Sequence, residues 1–167
     1  MQFAQRAQYR RWAASKSPNF VARMVDELSR RKCDVVRIHD SGDFYTLAYI
    51  LKWWEIAKAF PGRTFLAYTK MVPTFKTLET KGQYAPDNFK VIYSMGGKWD
   101  GLICRDKDNH SRVFPNLQEL KQAGYKQSPD YLPLSFHEAN TREGFVYHGN
   151  KKLENCMRDL DVSMAAR

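Results

Sequence analysis

The sequence has few cysteines and no long apolar run. Its 167 residues include three cysteines, which stand far apart at positions 33, 104 and 156. An odd number of isolated cysteines argues against a disulfide framework and suits a reducing compartment, so we expect a cytoplasmic protein. No apolar stretch approaches the roughly 20 residues that cross a bilayer, and the first residues lack the apolar centre of a secretory signal. We therefore expect no membrane association.

Aromatic residues and positive charge are plentiful instead. The chain is 43% hydrophobic and 14% aromatic, which is enough for a packed core. Lys and Arg number 27 against 18 Asp and Glu, a net charge of +9. Within residues 1–33, eight basic residues face two acidic ones, a local net charge of +6. Such a segment attracts nucleic-acid phosphates or an acidic protein partner, although a solvated helix face has the same composition.

Strand and helix patterns alternate along the first part of the chain. Alternation of this kind predicts parallel βαβ units with right-handed crossovers. We predict a single α/β domain, either a partial (βα) barrel or an open, mostly parallel sheet with outer helices. Its core occupies residues 1–97. The predicted strands are 34–39, 64–69 and 89–95, and the predicted helices are 3–14, 18–31, 45–59 and 73–80.

The remaining residues, 98–167, form a less clearly patterned extension. The segment "GLICRD" at 101–106 reads as a fourth strand, and "GFVYH" at 144–148 reads as an edge strand. Helices are predicted at 115–123, where a glycine follows, and at 151–160.

Polar or glycine-bearing residues lie at the carboxyl end of each of the three predicted strands. Ligands of parallel α/β sheets bind beyond the carboxyl ends of the strands, so these residues predict a ligand site. The predicted ligand-binding residues are His39, Ser41, Gly42, Asp43, Tyr68, Lys70, Ser94 and Gly96.

The turn after the first strand allows two interpretations. Gly42 permits a positive φ or a close backbone approach. Asp43 either accepts a hydrogen bond from a ligand ammonium group or caps the next helix. His39 either faces the ligand or is a buried histidine satisfied by hydrogen bonds. The alternative to a ligand site is a plain strand-to-helix turn.

A second predicted site binds nucleic acid or a protein partner. It combines positive charge with aromatic rings that can stack on bases. Trp53 and Trp54 are adjacent on a predicted helix and cannot point in the same direction. Trp54 lies on the apolar face that packs into the core. Trp53 either packs under a second layer or anchors an interface. The residues of this second site are Arg6, Arg10, Arg11, Trp12 and Trp53.

Four segments carry a family resemblance, namely "PNFVARMVDEL", "VRIHDSGDFY", "KWWEIAKAFPGRTFLAYTK" and "NFKVIYSMGG". Together they resemble the bacteriophage gene-product-eighty-eight family, a group of proteins similar to radical S-adenosylmethionine (SAM) enzymes. The resemblance covers roughly residues 2–97 and is most specific over 36–70. It implies that Ser41-Gly42-Asp43 stands where radical-SAM proteins have a Gly-Gly-Glu-like turn, which holds the amino group of SAM.

The sequence departs from this family where the iron–sulfur cluster should bind. Gln2-Phe3-Ala4 occupies the place of a Cys-Tyr-Ala step, and no Cys-x-x-x-Cys-x-x-Cys occurs. A 4Fe–4S cluster needs thiolate ligands close together, and cleavage of SAM to a radical needs an electron from the cluster. We therefore expect no cluster and no radical chemistry, through loss of the segment or through a start site that omits it.

Three functions are compatible with these observations. We favour a cluster-less, phage-type radical-SAM-like protein that acts by binding, as an effector or inhibitor of a host protein or nucleoprotein complex in the host cytoplasm. The second is a SAM- or nucleotide-binding protein or enzyme without radical chemistry. The third is a truncated radical-SAM enzyme that is inactive as written. The sequence predicts no oligomeric state.

Overall fold

The structure, a computed structural model, describes residues 2–39, 41–128 and 140–147. Within these ranges the helices are α1 (Gln2–Lys16), α2 (Phe20–Ser29), α3 (Leu47–Lys58), α4 (Val72–Thr80) and α5 (Leu117–Gln122). The strands are β1 (Val35–Ile38), β2 (Thr64–Thr69), β3 (Phe89–Ser94), β4 (His110–Phe114), β5 (Lys126–Gln127) and β6 (Arg142–Val146). None of the helices in this part of the chain is long and apolar enough to cross a membrane.

The strands form one open sheet. Their hydrogen-bonded order is β1-β2-β3-β4-β6-β5, so β1 and β5 lie at the two edges. The strand pairs β1–β2, β3–β4, β4–β6 and β5–β6 are parallel. The predicted α/β class, with an open parallel sheet and outer helices, is therefore confirmed.

The chain forms two compact units, Met1–Val91 and Ile92–Arg167. The first unit contains β1, β2 and α1 to α4, whose bounds lie within a few residues of the predicted ones. Its core is apolar because β2 and α3 are both rich in large hydrophobic residues. Fully buried core side chains of this unit include Ile38, Ile50, Ile56, Phe65, Leu66 and Leu78.

The carboxyl end of α1 is fastened to α3. Lys52 Nζ donates hydrogen bonds to the carbonyl oxygens of Ser15, at 2.9 Å, and Ser17, at 3.1 Å. A cation is favourable there because the last carbonyl groups of a helix have no partner within the helix. The hydroxyl of Ser15 also lies 2.7 Å from the hydroxyl of Tyr45. These contacts fix the helix end that is nearest the predicted ligand site.

The second unit corrects three predictions. Residues 101–106 form no strand; a short 3-10 turn, Asp100–Leu102, lies there instead. The strand predicted at 144–148 is β6, and it lies between β4 and β5 rather than at an edge. Strand β4 escaped prediction because its sequence, "HSRVF", begins with polar residues that are nevertheless buried. The predicted helix at 115–123 is confirmed as α5, whereas the one at 151–160 lies outside the described residues.

Candidate ligand-binding site

The chain turns sharply after β1 with two left-handed residues. His39 has φ 62° and Gly42 has φ 92°. A Cβ added to Gly42 would meet nothing within 4 Å, so the backbone angle, rather than a close approach, requires glycine there. Of the two roles predicted for Gly42, the positive φ is confirmed.

Asp43 joins this turn to the end of β2. Its Oδ1 accepts hydrogen bonds from the Phe44 amide, at 2.7 Å, and from the Thr69 hydroxyl, at 2.6 Å. Its Oδ2 accepts from the Lys70 amide at 2.7 Å. A carboxylate has about four acceptor positions, and the protein itself occupies three of them. Asp43 is thus mainly a clamp between the ends of two neighbouring strands.

The prediction that Asp43 caps the next helix is wrong. The N-cap of α3 is Thr46, whose hydroxyl accepts a hydrogen bond from the Tyr49 amide at 3.2 Å. Thr46 has the extended backbone of an N-cap residue, and it stands three residues before Tyr49, as the motif requires.

One of the two ring nitrogens of His39 has a hydrogen-bond partner. Its Nε2 lies 3.1 Å from the Tyr49 hydroxyl, and its ring packs edge-on against Phe44 with centroids 4.7 Å apart. The other nitrogen, Nδ1, is buried and has no hydrogen-bond partner among the described residues. Burial lowers the pKa of His39, and the Asp43 carboxylate opposes this shift. His39 thus keeps one buried ring nitrogen without a hydrogen-bond partner among the described residues, in a side chain that lines a cavity.

A cavity of about 630 Å³ opens beside this turn, within the first unit. Tyr45 and Tyr49 stack with centroids 4.7 Å apart, and Phe20 meets Trp53 edge-on at 5.7 Å. These rings offer flat, apolar faces to a ring-shaped ligand. The aromatic residues that line the cavity are Trp12, Phe20, Tyr45, Tyr49 and Trp53.

The polar side of the cavity unites the two sites that the sequence predicts separately. Helix α1 supplies Gln8, Arg11 and Ser15 to it. The turn after β1 supplies predicted ligand-binding residues, namely His39, Ser41, Gly42 and Asp43.

Other predicted residues lie elsewhere in the first unit. The Tyr68 ring lies 5.2 Å from the Arg37 guanidinium, and Lys70 contributes its backbone amide to Asp43. Arg6 and Arg10 line a separate, open depression of about 440 Å³ along α1. They are exposed and do not line the larger cavity.

Two predicted residues belong to the second unit. Ser94 stands in parallel register with Ser111. Gly96 has φ 91°, and its amide donates a hydrogen bond to Asp100 Oδ2 at 2.8 Å. Their assignment to a ligand site stays a prediction.

Trp53 is packed rather than exposed. Only 7% of its surface is accessible, and it contacts Phe20 and Tyr49, so its role as an exposed interface anchor is not supported. Its indole Nε1 is nevertheless buried without a hydrogen-bond partner among the described residues. Burial raises the pKa of Tyr49, and the Trp53 N–H lies close enough to oppose this shift without reaching hydrogen-bond geometry. Trp53 thus presents an unpaired donor in a residue that lines the cavity.

The sequence interpretation missed Tyr45, Tyr49 and Ser15 as site residues. A usable signal exists for the tyrosines: they are four residues apart, directly after the glycine turn, and therefore share one side of the chain as α3 begins. Ser15 carries no such signal, because only the folded contact with Tyr45 brings it to the cavity.

The absence of an iron–sulfur cluster stays a prediction, because only two of the three cysteines lie in the part of the chain that the structure describes. Cys33 is partly buried between α2 and β1, Cys104 is exposed in the second unit, and Cys156 lies outside the described residues. Among the described residues, no three His, Cys, Asp or Glu side chains are grouped closely enough to hold a metal ion.

The open parallel sheet with outer helices places the chain in the α/β class, and the cavity lies beside the carboxyl end of β1. The chain belongs to the gene product 88 family of phage proteins, whose model matches residues 1–161. This match extends well past residues 2–97, where the four resembling segments lie. No curated protein and no solved structure matched the chain.

Proposed function

We propose that this protein binds an adenosine-containing small molecule, SAM or a nucleotide, in the cavity beside β1. The observation that carries this proposal is the aromatic-walled cavity of about 630 Å³, which lies against the turn formed by Ser41, Gly42 and Asp43. That volume suits a ligand of this size, and ligand pockets combine apolar walls with a few convergent polar groups.

The polar groups of the cavity suit the two ends of such a ligand. His39 Nδ1 and Trp53 Nε1 are buried without partners among the described residues, and an unpaired buried polar atom is unfavourable until a ligand satisfies it. They match the ring nitrogens of adenine or the hydroxyls of ribose. The exposed guanidinium of Arg11 suits a carboxylate or a phosphate, both of which it can bind through two parallel hydrogen bonds.

The proposed activity is binding, without radical chemistry by this chain. The radical-SAM-like relationship rests on the resemblance of the turn and the flanking segments. The three cysteines are 71 and 52 residues apart, so the sequence supplies no set of neighbouring thiolates for a cluster. The role as an effector of a host protein or nucleoprotein complex stays a prediction; its test is capture of partners from host lysate with and without nuclease.

Calorimetric titration with SAM, with its homocysteine product and with ATP tests the ligand proposal. We expect one of them to bind with one site per chain, and to add about 2.7 kcal/mol to the free energy of unfolding at 100 times its Kd. Tyr45→Ala should weaken binding, because Tyr45 lines the cavity. Tyr84→Ala is the matched control, since Tyr84 is exposed and does not line it.

Two results would overturn the proposal. If none of the three compounds binds the folded chain, the cavity does not bind adenosine-containing ligands. A brown absorbance band after anaerobic reconstitution with iron and sulfide, together with cleavage of SAM, would instead indicate a radical enzyme.

A further inference from the structure

One side of α1 is basic, aromatic and exposed. Arg6, Tyr9 and Arg10 are all exposed, and Tyr9 keeps 66% of its surface accessible. Helix α1 has no Asp or Glu among its 15 residues, so no acidic side chain within it neutralises the arginines. Among residues 5–16, a single residue is buried. We refer to Arg6, Tyr9 and Arg10, with the exposed edge of Trp12, as the outer face of α1.

The aromatic rings of this face lie beside cations. Tyr9 and Trp12 have centroids 5.7 Å apart and planes inclined by 41°. Lys16 Nζ lies 3.5 Å from the centroid of the Trp12 ring, and 40% of Trp12 is accessible. Arg6 and Arg10 are one helical turn apart and therefore project on the same side. Flat rings and fixed positive charges thus alternate along about two turns of helix.

We propose that the outer face of α1 binds single-stranded nucleic acid. The arginines attract backbone phosphates, and the rings provide platforms on which bases stack. Positive charge alone would suit an acidic protein equally well. The interleaved exposed rings favour nucleic acid, because every base presents a π-face to such a ring. Arg6, Tyr9 and Arg10 do not line the cavity, so Trp12 is the one residue of this face that the two proposals share.

Fluorescence anisotropy of the full chain with labelled single-stranded DNA and RNA of about 20 nucleotides tests the electrostatic part. We expect binding that weakens from about 50 to 200 mM salt. The double variant Arg6→Gln/Arg10→Gln should reduce the slope of log K against log salt by about 1.4, which is about 0.7 for each phosphate that is no longer neutralised. The control Lys58→Gln/Lys81→Gln removes the same charge from exposed sites outside α1 and should leave the slope unchanged.

A second pair of variants tests stacking. Tyr9→Ala should weaken binding at least about fivefold, whereas Tyr9→Phe should keep nearly full affinity because it retains the ring. Far-ultraviolet circular dichroism of each variant checks that the helices remain folded. Titration of Tyr9→Ala with SAM or ATP separates this surface from the cavity, because the small ligand should bind as before.

Several outcomes would overturn the proposal. Absence of binding to both oligonucleotides is one, and an equal loss in the lysine control is another, because general charge would then explain the effect. Nuclease-resistant capture of an acidic protein, lost in the arginine variant while oligonucleotides fail to bind, would assign the face to a protein partner.

Discussion

The hydroxyl of Thr69 donates a hydrogen bond of 2.6 Å to the carboxylate of Asp43 and so ties the end of β2 to the turn after β1. The same carboxylate accepts the amides of Phe44 and Lys70. One carboxylate therefore accepts hydrogen bonds from three donors and holds the turn that lines the cavity. Asp43 therefore has a structural role that can be measured without any ligand.

Removing this carboxylate should weaken the fold. Asp43→Ala leaves three donors without their acceptor, and we expect the free energy of unfolding to fall by about 2–4 kcal/mol. Asp87→Ala, at an exposed position, should change it by less than about 0.5 kcal/mol. Urea unfolding measures both. Equal stability of the two variants would contradict the clamp.

Gly42 should resist replacement because of its backbone angle. Gly42→Ala should lower the free energy of unfolding by about 1–2 kcal/mol, since φ is 92° there and L residues are strained at such angles. Gly62 also has open space around it but no left-handed φ, so Gly62→Ala should be neutral or stabilising by up to about 1 kcal/mol. Thermal or urea unfolding compares the pair. A Gly42→Ala protein as stable as the parent would rule out this strain.

Acidification should destabilise the protein through His39. Burial lowers the pKa of His39 in the folded state, whereas the same histidine in the unfolded chain has a pKa of about 6.5. Between the two pKa values the unfolded state binds more protons, so the free energy of unfolding falls as the pH drops below about 6.5 and levels off below the folded pKa. Unfolding measured from about pH 7.5 to 5 gives this slope.

His39→Asn is the variant that isolates this contribution. Asn tolerates a positive φ better than most residues, so the backbone conformation is retained. The variant should be less sensitive to pH than the parent over the same window. Identical slopes in the two proteins would show that other groups cause the pH dependence.

Loss of Lys52 should loosen α1. Lys52→Met keeps the aliphatic stem but removes two charge-assisted hydrogen bonds to the carbonyl groups of Ser15 and Ser17. We expect α1 amides to exchange hydrogen roughly five- to thirtyfold faster, equivalent to about 1–2 kcal/mol of local stability. Lys58→Met on the same helix removes an exposed charge and should leave α1 unchanged. Unaltered exchange in Lys52→Met would mean that other contacts hold the helix.

Much of the first unit follows from local pattern. The run "TFLAYT" predicts β2 with its observed bounds, because a largely apolar strand between helical patterns has few alternatives. The periodic apolar residues of α3 predict that helix to within two residues at its start. The prediction fails where long-range contacts decide. Strand β4 starts with His110 and Ser111, and only burial within the folded second unit makes a strand of them.

The sequence predicts the position of the cavity better than its lining. The glycine turn and the parallel sheet indicate the edge where the cavity lies, because the strand ends converge there whatever their sequence. Successive side chains of β2 point to opposite faces of the sheet, and only the folded structure shows which face lies toward the turn. The sequence therefore does not reveal that Thr69, rather than Tyr68, contacts Asp43. Nor does the sequence reveal that Arg11 and Trp12 line the same cavity as His39. Their placement depends on the hydrogen bond between Lys52 and the carboxyl end of α1.

The fastening of α1 at Ser15 has a consequence for variation in related chains. Each residue of an α-helix turns the next by about 100°, so one inserted residue between Trp12 and Ser15 would rotate everything before it by that angle. Trp12 would then swing away from the cavity, and a neighbour would take its place. Extra residues ahead of Gln2 would cause no such rotation. The phase of this helix is therefore constrained, while the number of residues before it is free to change.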